Sequence, residues 1–122
     1  MNKNIKIGIL VAGSATEVAW ARKSARNIFN ILKKRGFNNV IVIKPNKIFT
    51  LIPKCDIVFI SVFGKPWQSG MAQCVCEHFN VPYTGSDPNV SFLAFNKQIA
   101  KKIFDRRKIP TPLWKYSDKN NL

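Results

Sequence analysis

The sequence predicts an α/β fold: a small three-layer domain built on a parallel, doubly wound sheet. Short runs of β-branched residues alternate with longer runs in which apolar side chains recur at helical spacing. Strands and helices that alternate in this way form parallel units with right-handed crossovers, which place every strand-to-helix loop at one edge of the sheet. We therefore expect the loops at Gly13, Gly64 and Gly85 to meet at that edge.

The first strand and the first helix follow from the pattern of apolar residues. Residues 5–11 form an apolar run typical of a buried strand, and Ser14 or Thr16 in the turn after it could cap the next helix. Apolar residues then repeat at steps of three and four, which predicts an amphipathic helix. These residues are Val18, Ala21, Ala25, Ile28 and Leu32. Gly36 suits the position just after the end of that helix.

Two further strands are predicted by β-branched runs at residues 40–43 and 57–62. The segment between them, residues 48–52, is ambiguous. It fits either a helical turn or a loop that packs Phe49 and Leu51 inward.

Two more helices are predicted after the third strand and a turn-rich loop. The first is short, at residues 71–79, with apolar residues four apart. The second is a long amphipathic run at residues 87–107, in which Asp87 can act as the N-cap and Pro88 suits the first turn. In this prediction Lys97 lies in the interior of the long helix.

Length and composition indicate one domain with its own hydrophobic core. The chain has 122 residues, of which 46% are hydrophobic. The formal charge of +14 raises nucleic-acid binding as a hypothesis. However, Lys, Asn and Ile all have A/T-rich codons and together make up 41 of the 122 residues, so drift in base composition also accounts for the lysines. The lysines are spread along the chain, which makes nucleic-acid binding the less favoured interpretation.

The remaining reactive side chains predict no metal or redox site. The three cysteines, Cys55, Cys74 and Cys76, are odd in number and match no zinc or redox spacing, so we expect small buried thiols in a reducing cytoplasm. The single histidine, His78, is interpreted as structural or solvated. The apolar run near the N-terminus is too short to span a bilayer. Residues 117–122 are polar and are expected to fray as a tail.

Three motifs carry a resemblance to a known family. They are Val81-Pro82-Tyr83-Thr84-Gly85-Ser86, then Asn96-Lys97, then the run from Lys108 to Trp114, K-I-P-T-P-L-W. Together they resemble the N-terminal domain of D-alanine–D-alanine ligases, which belong to the ATP-grasp superfamily. The resemblance extends over residues 5–114 and is strongest from residue 81 onward. It implies a Rossmann-like pre-ATP-grasp domain over residues 1–116, followed by the polar tail.

The resemblance also implies a function. The complete enzymes use ATP and magnesium to activate one D-alanine as an acyl phosphate, which the amine of a second D-alanine attacks. The dipeptide serves peptidoglycan biosynthesis in the cytoplasm, and hence the cell wall and cell shape. The two further domains that bind ATP in that family have no counterpart here. We therefore expect no cofactor and no activity for this chain alone, which would be a truncated product, a fragment or one subunit of a split enzyme.

In the complete enzyme the expected ligands are D-alanine and ATP. The expected protein partner is a missing ATP-grasp half or a second copy of the chain. No membrane association is expected. The alternative interpretation is a degenerate, non-catalytic relic or a protein-binding domain. Nucleic-acid binding ranks below both.

The resemblance implies two binding residues, Glu17 and Lys97, and identifies no catalytic residue. In the family's G-x-S-x-E-x-E-V-S loop the second glutamate fixes the amino group of the first D-alanine. Glu17 would bind substrate in this way if the alignment shifts by two residues, whereas the ungapped alignment pairs Glu17 with the first glutamate and Ala19 with the second. Lys97 would contact nucleotide phosphate, because it matches the lysine of the family's Asp-Lys pair. From the residues alone, Glu17 equally fits a helix-stabilising carboxylate and Lys97 a solvated lysine.

The second loop departs from the family pattern H-G-x-x-G-E-D-G. Phe63 stands where the family has histidine, and Gln68-Ser69 replaces its acidic pair, while Gly64 and Gly70 are retained. We interpret this loop as a structural turn built on its two glycines. The apolar segment that ends at Leu113 and Trp114 is expected to pack on the domain or on a partner chain, because burying such side chains is favourable.

Overall fold

The computed structural model describes residues 3–117. Within them, three parallel strands form one sheet in the order β2-β1-β3. The strands are β1, Ile7–Gly13, β2, Val40–Ile43, and β3, Ile57–Phe63. The central strand β1 pairs in register with both neighbours, since Ile7 faces Val40 on one side and Ile57 on the other. This sheet confirms the predicted α/β class.

Five α-helices connect and cover the strands in the described part of the chain. They are α1, Val18–Lys34, α2, Ile48–Leu51, α3, Met71–His78, α4, Pro88–Phe95, and α5, Lys97–Arg106. Single turns of 3₁₀ helix lie at Pro45–Lys47, Ile52–Lys54 and Trp67–Ser69. None of the helices in residues 3–117 is long and apolar enough to cross a membrane.

The sheet is buried on both faces, as expected for parallel strands. On one face Ile9 and Val11 of β1 pack with Ala21 and Ala25 of α1. On the other face a larger cluster joins β1 and β3 to α2 and α3; it comprises Leu10, Ile43, Ile48, Ile52, Cys55, Val58, Ala72, Cys76 and Val81. Helices on both faces give the predicted three layers.

The two ends of α1 differ in how well they were predicted. Neither Ser14 nor Thr16 caps the helix with its side chain; Glu17 occupies the N-cap position without a side-chain capping hydrogen bond. The Ser14 carbonyl instead accepts from the Glu17 and Val18 N–H groups, both at 3.0 Å. At the other end Gly36 has φ +86° and its N–H donates to the Lys33 carbonyl, which confirms it as the terminating glycine.

The ambiguous segment 48–52 is a helical turn. Ile48 and Ile52 are buried, whereas Phe49 is 65% exposed and Leu51 is only half-buried. The alternative in which Phe49 packs inward is therefore wrong. The helical turn is favoured over the loop because it places Ile48 and Ile52, four residues apart, on the same buried side.

Residues 81–84 do not form a full fourth strand. They make one parallel bridge between Tyr83 and Val58 of β3. The Val58 N–H donates to the Pro82 carbonyl at 2.8 Å, and the Thr84 N–H donates to the Val58 carbonyl at 3.0 Å. Gly85, with φ +108°, then turns the chain toward α4 as predicted.

The predicted single long helix is wrong, because it divides at Asn96. Asp87 caps α4 as expected, with Oδ1 accepting from the N–H groups of Asn89 and Val90. Asn96 then leaves the helical conformation, with ψ 98°, and its Oδ1 accepts from the Ile99 N–H at 3.2 Å. Asparagine is a favoured N-cap, so it starts a new helix within an unbroken helical periodicity. Lys97 is consequently the first residue of α5 rather than an interior one.

The segment after α5 folds back onto that helix. Trp114 is half-buried and its indole N–H donates to Asp105 Oδ2 at 2.9 Å. The Lys101 ammonium donates to the Thr111 hydroxyl and to the Pro112 carbonyl. Packing of Trp114 on its own domain is thus confirmed. Leu113 is fully exposed and does not pack on the domain, so only its contact with a partner chain stays a prediction. The predicted tail, apart from Ser117, lies outside the described residues.

Candidate functional site

The candidate site lies at the carboxyl edge of β1 and β3. The chain leaves β1 toward one face of the sheet and reaches β3 from the other, so this edge is the topological switch point where α/β proteins bind ligands. The loop after β1 meets the loop after β3 here: a Cβ at Gly64 would overlap Glu17 Oε2 and would lie 3.3 Å from Ser14 Oγ. The second loop also contacts the start of α4, since a Cβ at Gly70 would overlap the Pro88 carbonyl. The contact of the first loop with the second confirms that part of the expected convergence, and the second loop lines one cleft with Gly85 through Gln68.

Glu17 is held at this edge by its own loop. The Ser14 hydroxyl donates a 2.6 Å hydrogen bond to Glu17 Oε2, and the glutamate is half-buried. A short hydrogen bond to a carboxylate is among the stronger ones in proteins, so it fixes where the negative charge lies. Gly64 leaves the space for this carboxylate and has φ +71°, a conformation that favours glycine.

The second loop uses its polar side chains to hold its own shape. Gln68 Oε1 accepts from the Gly64 N–H at 3.0 Å, and the Ser69 hydroxyl donates to the Pro66 carbonyl at 2.8 Å. The Lys65–Pro66 peptide bond is cis. Phe63 packs against the core cluster under α1. These contacts agree with the interpretation of the loop as a structural turn.

A cleft of about 380 Å³ lies between the second loop, the Thr84–Ser86 turn and α4. Gln73 is 7% exposed at its wall, and its Nε2 donates to Ser91 Oγ at 2.9 Å. Gln73 Oε1 is buried and has no hydrogen-bond partner. A buried acceptor without a partner costs about 1–3 kcal/mol, so a water or ligand donor would stabilise it. Sequence reasoning missed Gln73, because a glutamine on a short amphipathic helix carries no signal that separates it from a surface residue.

Lys97 lies in a different cleft, of about 320 Å³, at the start of α5. Lys65 of the second loop lines the same cleft, with its ammonium 5.9 Å from the Phe95 ring centroid. No acidic side chain lines it in the described part of the chain. Two ammonium groups beside a helix N-terminus favour an anion. Glu17 does not line the cleft of Lys97; it meets the second loop at Gly64, whereas Lys97 meets that loop through Lys65 and Ser69.

The thiols lie away from the site. Cys55 and Cys76 are buried, and burial raises the pKa of Cys55 and raises the pKa of Cys76 to about 11. These two confirm the expected inert thiols, whereas Cys74 is exposed and corrects that expectation. His78 is exposed and its ring contacts Phe79 edge-on at 4.7 Å between centroids.

Comparison with known sequences finds D-alanine–D-alanine ligases among the relatives of this chain. No family model matches the chain. A D-alanine–D-alanine ligase of Oleidesulfovibrio alaskensis is 32% identical over 114 residues, covering 90% of this chain and 37% of the relative. Another, of Carboxydothermus hydrogenoformans, is 34% identical over 110 residues, covering 88% of this chain and 35% of the relative. The chain therefore spans little more than a third of the length of these relatives.

Solved structures agree. A D-alanine–D-alanine ligase of Bacillus anthracis complexed with ATP matches with a TM-score of 0.79 and 27% identity, over 93% of this chain and 38% of that one. A ligase of Aeromonas hydrophila, at 22% identity and a TM-score of 0.78 over 97% of this chain and 52% of that one, shares the fold. The chain is homologous to the N-terminal part of D-alanine–D-alanine ligases and shares its fold.

Proposed function

We propose that this chain provides the N-terminal, substrate-binding domain of a D-alanine–D-alanine ligase, an ATP-grasp enzyme of peptidoglycan biosynthesis in the cytoplasm. One observation carries the proposal beyond the homology. A half-buried carboxylate, Glu17, is held by Ser14 at the switch point of the sheet and packs against a glycine of the neighbouring loop.

Glu17 would bind the ammonium group of one D-alanine. A carboxylate whose position is fixed by a hydrogen bond and a close backbone contact needs little reorganisation when a cation binds, which favours affinity and orientation. This arrangement supports Glu17 itself as the substrate carboxylate, although Ala19 occupies the second glutamate position in the ungapped alignment.

Lys97, with Lys65 beside it, would contact a phosphate of ATP. The cleft that the two lysines share is cationic along its described lining and fits an anion. ATP, when bound, supplies the phosphoryl group that activates D-alanine. Residues 3–117 contain no group of three or more His, Cys, Asp or Glu side chains that could hold a metal ion, so no magnesium site is assigned to them.

The chain would act only together with an ATP-grasp half, supplied by a longer protein or by a separate chain. A degenerate, non-catalytic relic is the second candidate. The second loop favours the relic, because Gln68 and Ser69 replace the acidic pair and their side chains form hydrogen bonds within the loop itself.

An activity assay separates the two candidates. The purified chain alone should release no phosphate from ATP in the presence of D-alanine. Adding the ATP-grasp part of the Carboxydothermus relative as a separate chain should give D-alanine-dependent phosphate release. Glu17→Gln should abolish this activity, while the matched control Glu77→Gln, an exposed carboxylate on α3, should retain it. Phosphate release that is no greater with this chain than with the ATP-grasp part alone would favour the relic, whereas activity that survives Glu17→Gln would contradict the role of Glu17.

A further inference from the structure

A groove on the β2 side of β1 shares no lining residue with the two clefts described above, and Gly13 and Val18 of its lining flank the loop that carries Glu17. It lies between α1 and the carboxyl end of β2 and has a volume of about 650 Å³. Its walls include Val11, Val18, Phe29 and Val42, and Val42 is 45% exposed. Concave, mainly apolar sites of this size are typical of small organic ligands.

Three basic side chains and no acidic side chain are found in the described lining of this groove. Arg22 and Arg26 of α1 and Lys44 after β2 are the charged residues of its described lining. The two arginines are four residues apart, so they lie on the same side of the helix one turn from each other. Two guanidinium groups placed this way can bind a carboxylate through several charge-assisted hydrogen bonds.

Acidic residues are few around the groove: Glu17 precedes Val18 of its lining, but the Glu17 carboxylate is bonded to Ser14 and abuts Gly64. Residues 18–55, which build α1, β2 and α2, contain nine lysines and arginines and no aspartate or glutamate. These nine are Arg22, Lys23, Arg26, Lys33, Lys34, Arg35, Lys44, Lys47 and Lys54. A surface of one sign raises the local concentration of oppositely charged ligands.

We propose that this groove binds an amphipathic anion, a medium-chain aliphatic carboxylate, with its chain on the valines and Phe29 and its carboxylate on Arg22 and Arg26. An aliphatic body fits better than a nucleobase, because Asn46 is the only uncharged polar side chain in the described lining. A base would leave its hydrogen-bonding edge unpaired there. This binding does not depend on the proposed ligase function.

Displacement of a fluorescent aromatic anion, anilinonaphthalene sulfonate, by decanoate tests the proposal. Decanoate should displace the probe from the parent chain. Hexanoate should bind at least about tenfold more weakly, because each buried methylene contributes to affinity. The double variant Arg22→Gln/Arg26→Gln should bind decanoate at least about tenfold more weakly than the parent.

The control variant is Lys34→Gln/Arg35→Gln, which removes the same charge from exposed positions at the end of α1. It should bind decanoate within twofold of the parent. An equal loss in both double variants would show attraction to net charge alone and would overturn the proposal. So would a parent chain that binds decanoate no better than hexanoate. Circular dichroism of each variant confirms that the fold is retained, so that the probe reports the groove.

Discussion

Glu17 and Gly64 illustrate how one site residue depends on another across two loops. The carboxylate occupies the space that a side chain at position 64 would fill, and the glycine also has a positive φ. The sequence alone pointed to both residues, but it gave no sign that they touch. Their contact depends on the register of β1 with β3, in which Gly13 faces Phe63 and so brings the two loops side by side.

Gly64→Ala should destabilise the chain more than Gly85→Ala. Both positions have positive φ, and strain of this kind costs about 1–3 kcal/mol. Only Gly64 adds an overlap with Glu17, because a Cβ at Gly85 meets nothing within 4 Å. Urea denaturation should rank the variants, and Glu17→Ala should recover part of the loss in the Gly64→Ala background. A pair of glycine variants with equal stability would show that the loops do not meet as described.

The buried Cys76 thiol should make stability depend on alkaline pH. Burial raises its pKa in the folded chain from 9.0 to about 11. The folded state therefore holds this proton more tightly than the unfolded state, and the stabilisation is full below pH 9 and lost as pH rises through 11. Urea midpoints measured from pH 8 to pH 11 should fall less steeply for Cys76→Ala than for the parent. Cys74→Ser, which changes an exposed thiol, should keep the parent slope.

At the scale of elements, capping residues determine where the helices begin and end, which the apolar periodicity did not predict at Asn96. Apolar residues continue at helical spacing from Phe92 to Ile103, which predicted one helix. Asn96 interrupts it because its side chain accepts a backbone hydrogen bond better at an N-cap than within a helix. Asp87 and Gly36 were predicted correctly because each stands at a boundary where the periodicity itself stops.

Asn96→Ala should lower the unfolding free energy by about 1 kcal/mol, through loss of the cap of α5. Asn96→Asp keeps an oxygen acceptor and should stay close to the parent. Chemical denaturation measures both. An alanine variant as stable as the parent would indicate that α4 and α5 behave as one continuous helix.

The C-terminal segment should contribute to stability through Trp114. Its half-buried ring and its hydrogen bond to Asp105 hold the segment on α5, so Trp114→Ala should destabilise the chain by about 1–2 kcal/mol. Leu113→Ala is the matched control, since that side chain is fully exposed. Thermal melts that show no difference between the two variants would mean that the segment is not docked.

For the whole molecule, the fold followed from the sequence more completely than the site. Alternating strand and helix patterns were enough for the three layers, because parallel connections allow few arrangements. Three features depend on how separate segments pack: the burial of Gln73, the cleft that Lys97 shares with Lys65, and the cationic groove. Such contacts join residues far apart in the chain, and no local pattern encodes them. The homology names the family, while the changed second loop leaves the activity to be measured.

The central claim is that Glu17 forms a binding site for D-alanine, and a titration followed by two-dimensional NMR tests it most directly. D-alanine should shift the amide signals of Gly13, Ser14 and Gly64, and the shifts should vanish in Glu17→Gln but persist in Glu77→Gln. N-acetyl-D-alanine, which lacks the ammonium group, should cause none of them. Equal shifts with the acetylated ligand, or shifts that survive Glu17→Gln, would contradict the assignment of Glu17 as the substrate carboxylate.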